Sequence, residues 1–311
     1  MTYYFVGDLH LTDVNPKSRI DDYPASILAK LSSIFDQARK DDVKAIFFLG
    51  DVFHKPSGLT IRYLNRVIET FQKSPCPCYT VIGNHDIPYN RVEDVENTSL
   101  GILFKSKALL HLDRYDINDK VAICGYDYGT DISGIEKPNV DTAICLAHSY
   151  GEDVSFGDSN KPEYFRWSDL NLNPFDYYIL GHDHSYHDPK SVFLNSTLYR
   201  AGALSRQTSA LSDTKRVPKI LKMVVSDVIS FSEVEVEHLP AEQCFNTHAL
   251  NKDLKVDTVD FSSSLEEVLS NLNFSITGSI FDIIDQMDLD KDVLAVLEEY
   301  LRSRFIVRKS D

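Results

Sequence analysis

Tyr3-Tyr4-Phe5-Val6-Gly7-Asp8-Leu9-His10 opens the chain with a short apolar run that ends abruptly in ligand-type side chains. The pattern returns four times. Ala45-Ile46-Phe47-Phe48-Leu49 runs into Gly50-Asp51, and Tyr79-Thr80-Val81-Ile82 into Gly83-Asn84-His85-Asp86. Ala143-Ile144-Cys145-Leu146-Ala147 runs into His148, and Tyr177-Tyr178-Ile179-Leu180 into Gly181-His182-Asp183-His184. Short runs rich in β-branched and aromatic residues, separated by helix-length segments, predict an α/β sheet. Loops converge at the carboxyl edge of such a sheet, so five strand ends bearing carboxylate, amide and imidazole groups predict one polar cleft.

Between the strands, residues 26–39 and 61–71 repeat their apolar side chains at helical spacing and predict helices that cover the sheet. After His184 the texture changes. Residues 191–194 and 197–199 read as strands, and 219–225 with 228–236 as a hairpin about Ser226-Asp227, together a second sheet that closes the domain. The main domain is placed at 1–240 and a weakly periodic linker at 241–260. A small helical C-terminal region follows at 261–311, opened by the capping-box pattern Ser264-Leu265-Glu266-Glu267.

With 311 residues, 43% hydrophobic and 25% charged, the chain has ample material for a buried core. Acidic residues outnumber basic ones 47 to 32, a formal charge of −15, which argues against holding a polyanion by global charge. Any nucleic-acid contact must be local. The local candidate is the strip Arg200, Arg206, Lys215, Arg216, Lys219 and Lys222, interrupted only by Asp213. Five cysteines, the closest pair being Cys76-Pro77-Cys78, read as a turn and free thiols in a reducing cytoplasm, a host's if the chain is of phage origin. No basic-then-apolar leader and no run of about eighteen apolar residues is present, so no membrane association is expected.

Asp8, His10, Asp51, Asn84, His148, His182 and His184 form a mixed oxygen and nitrogen set too large for one ion. Such a set suits two transition-type ions that share a bridging carboxylate, and Asp51 is the choice for the bridge. His111, His187, His238 and His248 stand in no comparable motif and read as structural or surface residues.

Gly-Asp-Leu-His, Gly-Asp-Val-Phe-His, Gly-Asn-His-Asp, Ala-His and Gly-His-Asp-His, in this order, resemble the calcineurin-like metallophosphoesterases over about residues 1 to 236. The resemblance implies a four-layer αββα sandwich of two mixed sheets. It also implies a first ion on Asp8, His10, Asp51 and His184, and a second on Asp51, Asn84, His148 and His182. His85 would be the catalytic histidine, with Asp86 orienting it. The cofactor is expected to be a pair of divalent ions, Mn²⁺ first, with Fe, Zn, Ni and Mg open, that clamp a phosphoester and activate water for in-line attack.

A narrower likeness rests on Gly50-Asp51-Val52-Phe53-His54 and Gly202-Ala203-Leu204-Ser205-Arg206. These are similar to the DNA-repair nuclease subunit of the bacterial SbcCD complex and its eukaryotic and phage relatives. In that subfamily the histidine matching His54 helps place the DNA strand. The implied partners are DNA and an SMC-like ATPase docked on the C-terminal helices, with a homodimer also open. Low length, strong acidity and a short C-terminus depart from the subfamily. They favour the alternative, a phosphodiesterase or phosphatase acting on small molecules or phosphoproteins. A non-catalytic scaffold is disfavoured because His85 and every expected ligand are retained.

Overall fold

The computed structural model describes residues 1–152, 164–167, 170 and 173–246. The chain runs β1 (Thr2–Val6), α1 (Tyr23–Lys40), β2 (Val43–Phe48), α2 (Ile61–Phe71), β3 (Cys78–Thr80), α3 (Ser99–Lys105), β4 (Leu110–His111), β5 (Arg114–Asn118) and β6 (Val121–Tyr126). It continues through β7 (Thr142–His148), β8 (Tyr150–Glu152), β9 (Tyr164–Arg166), β10 (Tyr177–Gly181), β11 (His187–Ser191) and β12 (Thr197–Arg200). Last come α4 (Leu211–Lys215), β13 (Lys219–Val225), β14 (Ile229–Glu235) and α5 (Ala241–Cys244).

Two six-stranded mixed sheets form, ordered β14-β13-β1-β2-β3-β4 and β11-β12-β10-β7-β6-β5, with β8 and β9 pairing separately. The parallel pairs β1–β2, β2–β3, β6–β7 and β7–β10 bring the five strand ends to the same edges as expected. Strand alternation makes three apolar layers from one set of residues. Tyr3, Phe5, Ala45 and Phe47 point between the sheets to meet Ile123, Ile144, Leu146 and Ile179. Their neighbours Tyr4, Val6, Ile46 and Phe48 point outward beneath Ile27, Leu31, Ile34 and Phe35 of α1 and Val67 and Phe71 of α2. Strands buried on both faces read as continuous apolar runs, which is why the sequence showed runs and no alternation. Among the described residues, the outer face of the second sheet is covered by irregular segments bearing Ile132, Leu170 and Phe175.

Two sequence expectations are corrected here. The hairpin β13–β14 does not close the second sheet: β13 pairs antiparallel with β1 and extends the first. Period-two patterning identifies a hairpin but carries no signal for which edge it joins. Residues 192–194 are not strand either, because the chain turns there through Leu194 at φ 47°. The unit that begins at Met1 extends to Asn246, with Cys244 and Phe245 buried, so the first residues of the expected linker are packed. The reading of residues 261–311 as a helical region lies outside the described residues.

α1 starts on an Asp22 cap, whose side chain accepts the Ala25 N–H, and buries one cation with its apolar face. Lys30 is 3% exposed and donates to the Leu204 carbonyl at 2.9 Å. Burial, with Arg206 and Arg19 adding to it, pushes the Lys30 ammonium down to about 7. A lysine in the unfolded chain titrates near about 10.4, so the unfolded state holds the extra proton between these values and folding stability rises with pH across that window. In urea unfolding, wild-type stability should therefore climb relative to Lys30→Met as pH is raised from about 7 to about 10. A difference that stays flat would show that Lys30 is charged throughout.

Candidate metal centre

The candidate ligands hang from strand ends that are tied to one another by backbone. Leu9 and His10 N–H both donate to the Asp51 carbonyl, at 3.1 and 3.0 Å, and Leu11 N–H to that of Val52 at 2.9 Å. The turns that aim the side chains are strained. His10, Asp51 and His182 sit at φ 49°, 47° and 79°, in the left-handed region that non-glycine residues rarely occupy. Such strain persists where the surrounding structure over-determines it and clusters at functional sites. Two glycines leave the space the turns need. A Cβ on Gly50 would lie 2.5 Å from the His148 ring, and one on Gly83 would lie 2.2 Å from both N and Oδ1 of Asp51.

Three candidate groups result among the described residues: a first and a second that share Asp51, and a third of His10, His54 and His85. One ligand atom from each of Asp8, His10, Asp51 and His184 lies within 4.8 Å of the others, and the same holds for Asp51, His148 and His182. In the first group His10 Nε2 is 2.9 Å from His184 Nε2 and 3.7 Å from Asp51 Oδ2, while His184 Nε2 is 3.4 Å from Asp8 Oδ2. In the second, His148 Nε2 is 3.4 Å from Asp51 Oδ1, 3.2 Å from His182 Nδ1 and 3.1 Å from Asn84 Oδ1. Asn84 thus joins the second group through its amide oxygen.

The site is short of positive charge. Asp8 and Asp51 are each 1% exposed. Burial pushes the Asp8 carboxyl up, against the pull of His148 and His184. Burial also works on Asp51, but His148 and then His10 outweigh it and hold this carboxyl low. Burial keeps the His10 imidazole neutral and carries His182 down to about 3, with His148 adding to the effect. His148 alone rises, to about 9, because Asp51 and then Asp8 overcome its burial. Asp8 Oδ2 and His10 Nδ1 are buried with no hydrogen-bond partner. Two buried carboxylates among imidazoles, of which burial keeps His10 and His182 neutral, with an unsatisfied carboxylate oxygen beside them, fit divalent cations of the imidazole-and-carboxylate class.

His85 and His54 stand beside this centre. The His85 backbone N–H donates to Asp51 Oδ1 at 2.9 Å, and its Nδ1–H donates to the His54 carbonyl at 2.9 Å, which leaves Nε2 for proton work. The two imidazoles stack with centroids 5.5 Å apart, and both approach His10. The expected orientation of His85 by Asp86 is not what the structure has. Asp86 is fully buried and accepts the backbone N–H groups of Val52, Phe53 and Gly83 at 3.3, 2.9 and 3.0 Å. It clamps the turn after β2 to the turn after β3, and burial raises its carboxyl to about 7.

The basic strip also does not form. Arg206 is 2% exposed and bonds the Leu239 carbonyl; Arg200 is buried too. Arg216 pairs with Asp213 and donates to the carbonyls of His184 and Ser205, Lys219 pairs with Glu233, and Lys222 with Asp41. Lys215 alone faces solvent without an ion pair among the described residues. Charge spacing in sequence cannot distinguish a cation that faces solvent from one that crosslinks loops. Several supports carried no motif. Gln207 Nε2 donates to the His10 carbonyl and to the Tyr23 hydroxyl, and Tyr128 and Tyr150 flank the His182 ring at 5.8 and 4.3 Å.

A model of the family described as calcineurin-like phosphoesterase matches residues 1–186. Comparison with curated protein sequences gave no match. Among solved structures, a dimetal phosphatase from Danio rerio is 11% identical with a TM-score of 0.51, covering 77% of this chain and 99% of that one. A purple acid phosphatase from yellow lupin (Lupinus luteus) seeds is 12% identical with a TM-score of 0.47, covering 76% and 52%. An archaeal phosphodiesterase is 11% identical with a TM-score of 0.39, covering 76% and 99%. At these identities the Danio rerio structure speaks to the fold alone.

Gly83→Ala tests how tightly the turns hold Asp51. The added methyl must displace the Asp51 carboxylate, and losing one ligand's position should weaken Mn²⁺ binding about 10–100-fold in calorimetric titration, with the circular-dichroism spectrum retained. Unchanged affinity would mean that the turn yields without moving Asp51.

Proposed function

The chain belongs to the calcineurin-like phosphoesterases, and from that premise we propose that it is a two-metal phosphodiesterase acting on DNA, the nuclease subunit of an SbcCD-like complex. Asp8, His10, Asp51 and His184 hold the first ion in this reading, and Asp51, Asn84, His148 and His182 the second. Mn²⁺ is the first metal to test. Bound there, the ions supply Lewis acidity toward the phosphoryl oxygens and a nucleophile at neutral pH. The polypeptide does the rest. Asp51 fixes the spacing of the two sets, and the His54 carbonyl locks the His85 ring so that Nε2 meets the phosphate or the leaving oxygen. Asp86 keeps both turns in register from beneath.

The observation that favours DNA is on the segment that follows His54. Lys55 directly follows His54, and Arg62 and Arg66 lie one turn apart on α2, all three exposed and in no ion pair among the described residues. The loop that joins them to His54 is held to the His10 loop by His54 N–H on the Leu11 carbonyl and Thr60 N–H on Asp13. Three exposed cations on the segment that follows His54 supply local positive charge against the acidity of the whole chain, as a phosphate backbone requires. Docking of an SMC-like ATPase on residues 261–311 belongs to the same proposal.

Chelation with EDTA should abolish cleavage of linear duplex and of bis-p-nitrophenyl phosphate alike, with Mn²⁺ restoring both. His54→Ser and the triple variant Lys55→Glu, Arg62→Glu, Arg66→Glu should impair only the duplex reaction. The triple variant should also flatten the dependence of log affinity on log salt by about 0.9 for each phosphate it no longer neutralises. Equal loss on both substrates assigns these residues a general role, and full retention on duplex favours a small-molecule or phosphoprotein substrate.

A further inference from the structure

The second candidate ligand group straddles the sandwich. Asp51 and Asn84 follow strands of the first sheet, whereas His148 and His182 end or follow strands of the second. Its geometry therefore depends on what fixes the turn after β3 against the second sheet. β3 is three residues long and ends at Thr80, so Ile82 lies beyond its ladder and is buried at 2% exposure. A buried backbone N–H or C=O without a partner is costly, and Ile82 needs both satisfied.

Two consecutive residues from the segment after β6 satisfy them. Asp127 Oδ1 accepts the Ile82 N–H at 2.7 Å, and the Tyr128 N–H donates to the Ile82 carbonyl at 2.9 Å. The pair imitates a rung of β-ladder, with a side-chain carboxylate standing in for one carbonyl. His111 on β4 holds that carboxylate from the other side, its Nε2 3.0 Å from both oxygens. Tyr128 then packs its ring 6.2 Å from that of His148 and 5.8 Å from that of His182. One dipeptide thus grips the backbone two residues before Asn84 and touches both imidazoles of the same group.

We propose that Asp127 is a positioning residue for the second ion: it ties the Asn84 turn to the sheet that carries His148 and His182. The first group has its own ties. Leu204 and Ser205 N–H donate to the Asp8 carbonyl at 3.1 and 3.2 Å, and Ala203 N–H to that of His184 at 3.0 Å. Asp51 is shared, but Asn84, His148 and His182 are not, so loss of Asp127 acts mainly on the second group. The proposal rests on the two-ion reading of the site and is independent of the substrate.

The test is stepwise Mn²⁺ titration of the full chain by calorimetry, with electron paramagnetic resonance to follow the spin-coupled Mn–Mn signal. Asp127→Ala should weaken the second binding step about 10–100-fold, as loss of an outer-shell partner does, and diminish the coupled signal at a given Mn²⁺ concentration. The first step should stay as in the wild type. Asp127→Asn keeps an amide oxygen for the Ile82 N–H, giving up the charge and one of the two acceptor oxygens that face His111, and should return the second step to within about threefold of wild type. Two wild-type dissociation constants in Asp127→Ala overturn the proposal. So does an equal loss in both steps, which marks a general structural defect, or an Asp127→Asn variant as weak as Asp127→Ala. A wild type that takes up a single Mn²⁺ ends the two-ion reading itself and is recognisable before any variant is made.

Discussion

One carboxylate constrains this molecule more than any other group. Asp51 must present Oδ2 to His10 and Oδ1 to His148 while Oδ1 also accepts the His85 N–H. Its neighbours come from both sheets, so the sheets cannot slide past one another: one residue of slip, about 3.3 Å along a strand, would take an imidazole out of reach. What prevents the slip is the aromatic filling between the sheets. Phe47, on the strand that delivers Asp51, packs with Phe5, Tyr79 and Tyr115 at centroid separations of 5.3, 5.6 and 5.3 Å. Interiors packed at crystal-like density resist such shear, and the polar site inherits its precision from this apolar layer.

How much of this was legible from sequence follows from what each signal reports. The apolar runs ending in candidate ligand residues gave the central strands, because a strand buried on both faces announces itself by composition. The candidate ligands were legible for a related reason, since parallel strands must end at a common edge. Edge strands were harder. β4 and β5 are short and partly exposed, and their polar residues resemble loop. The β13–β14 hairpin was visible, but its sheet was not, because pairing with β1 joins residues more than two hundred positions apart.

Polar residues whose role depends on burial were the least legible where no motif marked them, as one marked Asp51. Asp51, Asp86 and Asp127 are chemically the same side chain. Asp51 lies between two sets of imidazoles, Asp86 accepts three backbone N–H groups, and Asp127 joins a histidine to a strand end. Arginines divide in the same way. Arg206 and Arg216 spend their donors on carbonyls of loops behind the site, whereas Arg62 and Arg66 face solvent. A guanidinium offers five donors in a fixed fork, which suits crosslinking loops as well as binding phosphate. Only the fold decides between them.

The left-handed backbone at His10, Asp51 and His182 bears on which metals the centre can recruit over evolutionary time. Apart from glycine, the residues that tolerate this conformation best are asparagine, aspartate and histidine. These are borderline or hard ligands. Cysteine, the ligand that would draw the centre toward soft ions, shares none of their enrichment there, and β-branched residues are penalised outright. Backbone geometry and coordination chemistry therefore select from the same short alphabet. The turns act as a filter on inheritable change: point substitutions that would convert the centre to thiolate ligation must first overcome the conformation of the chain that carries it.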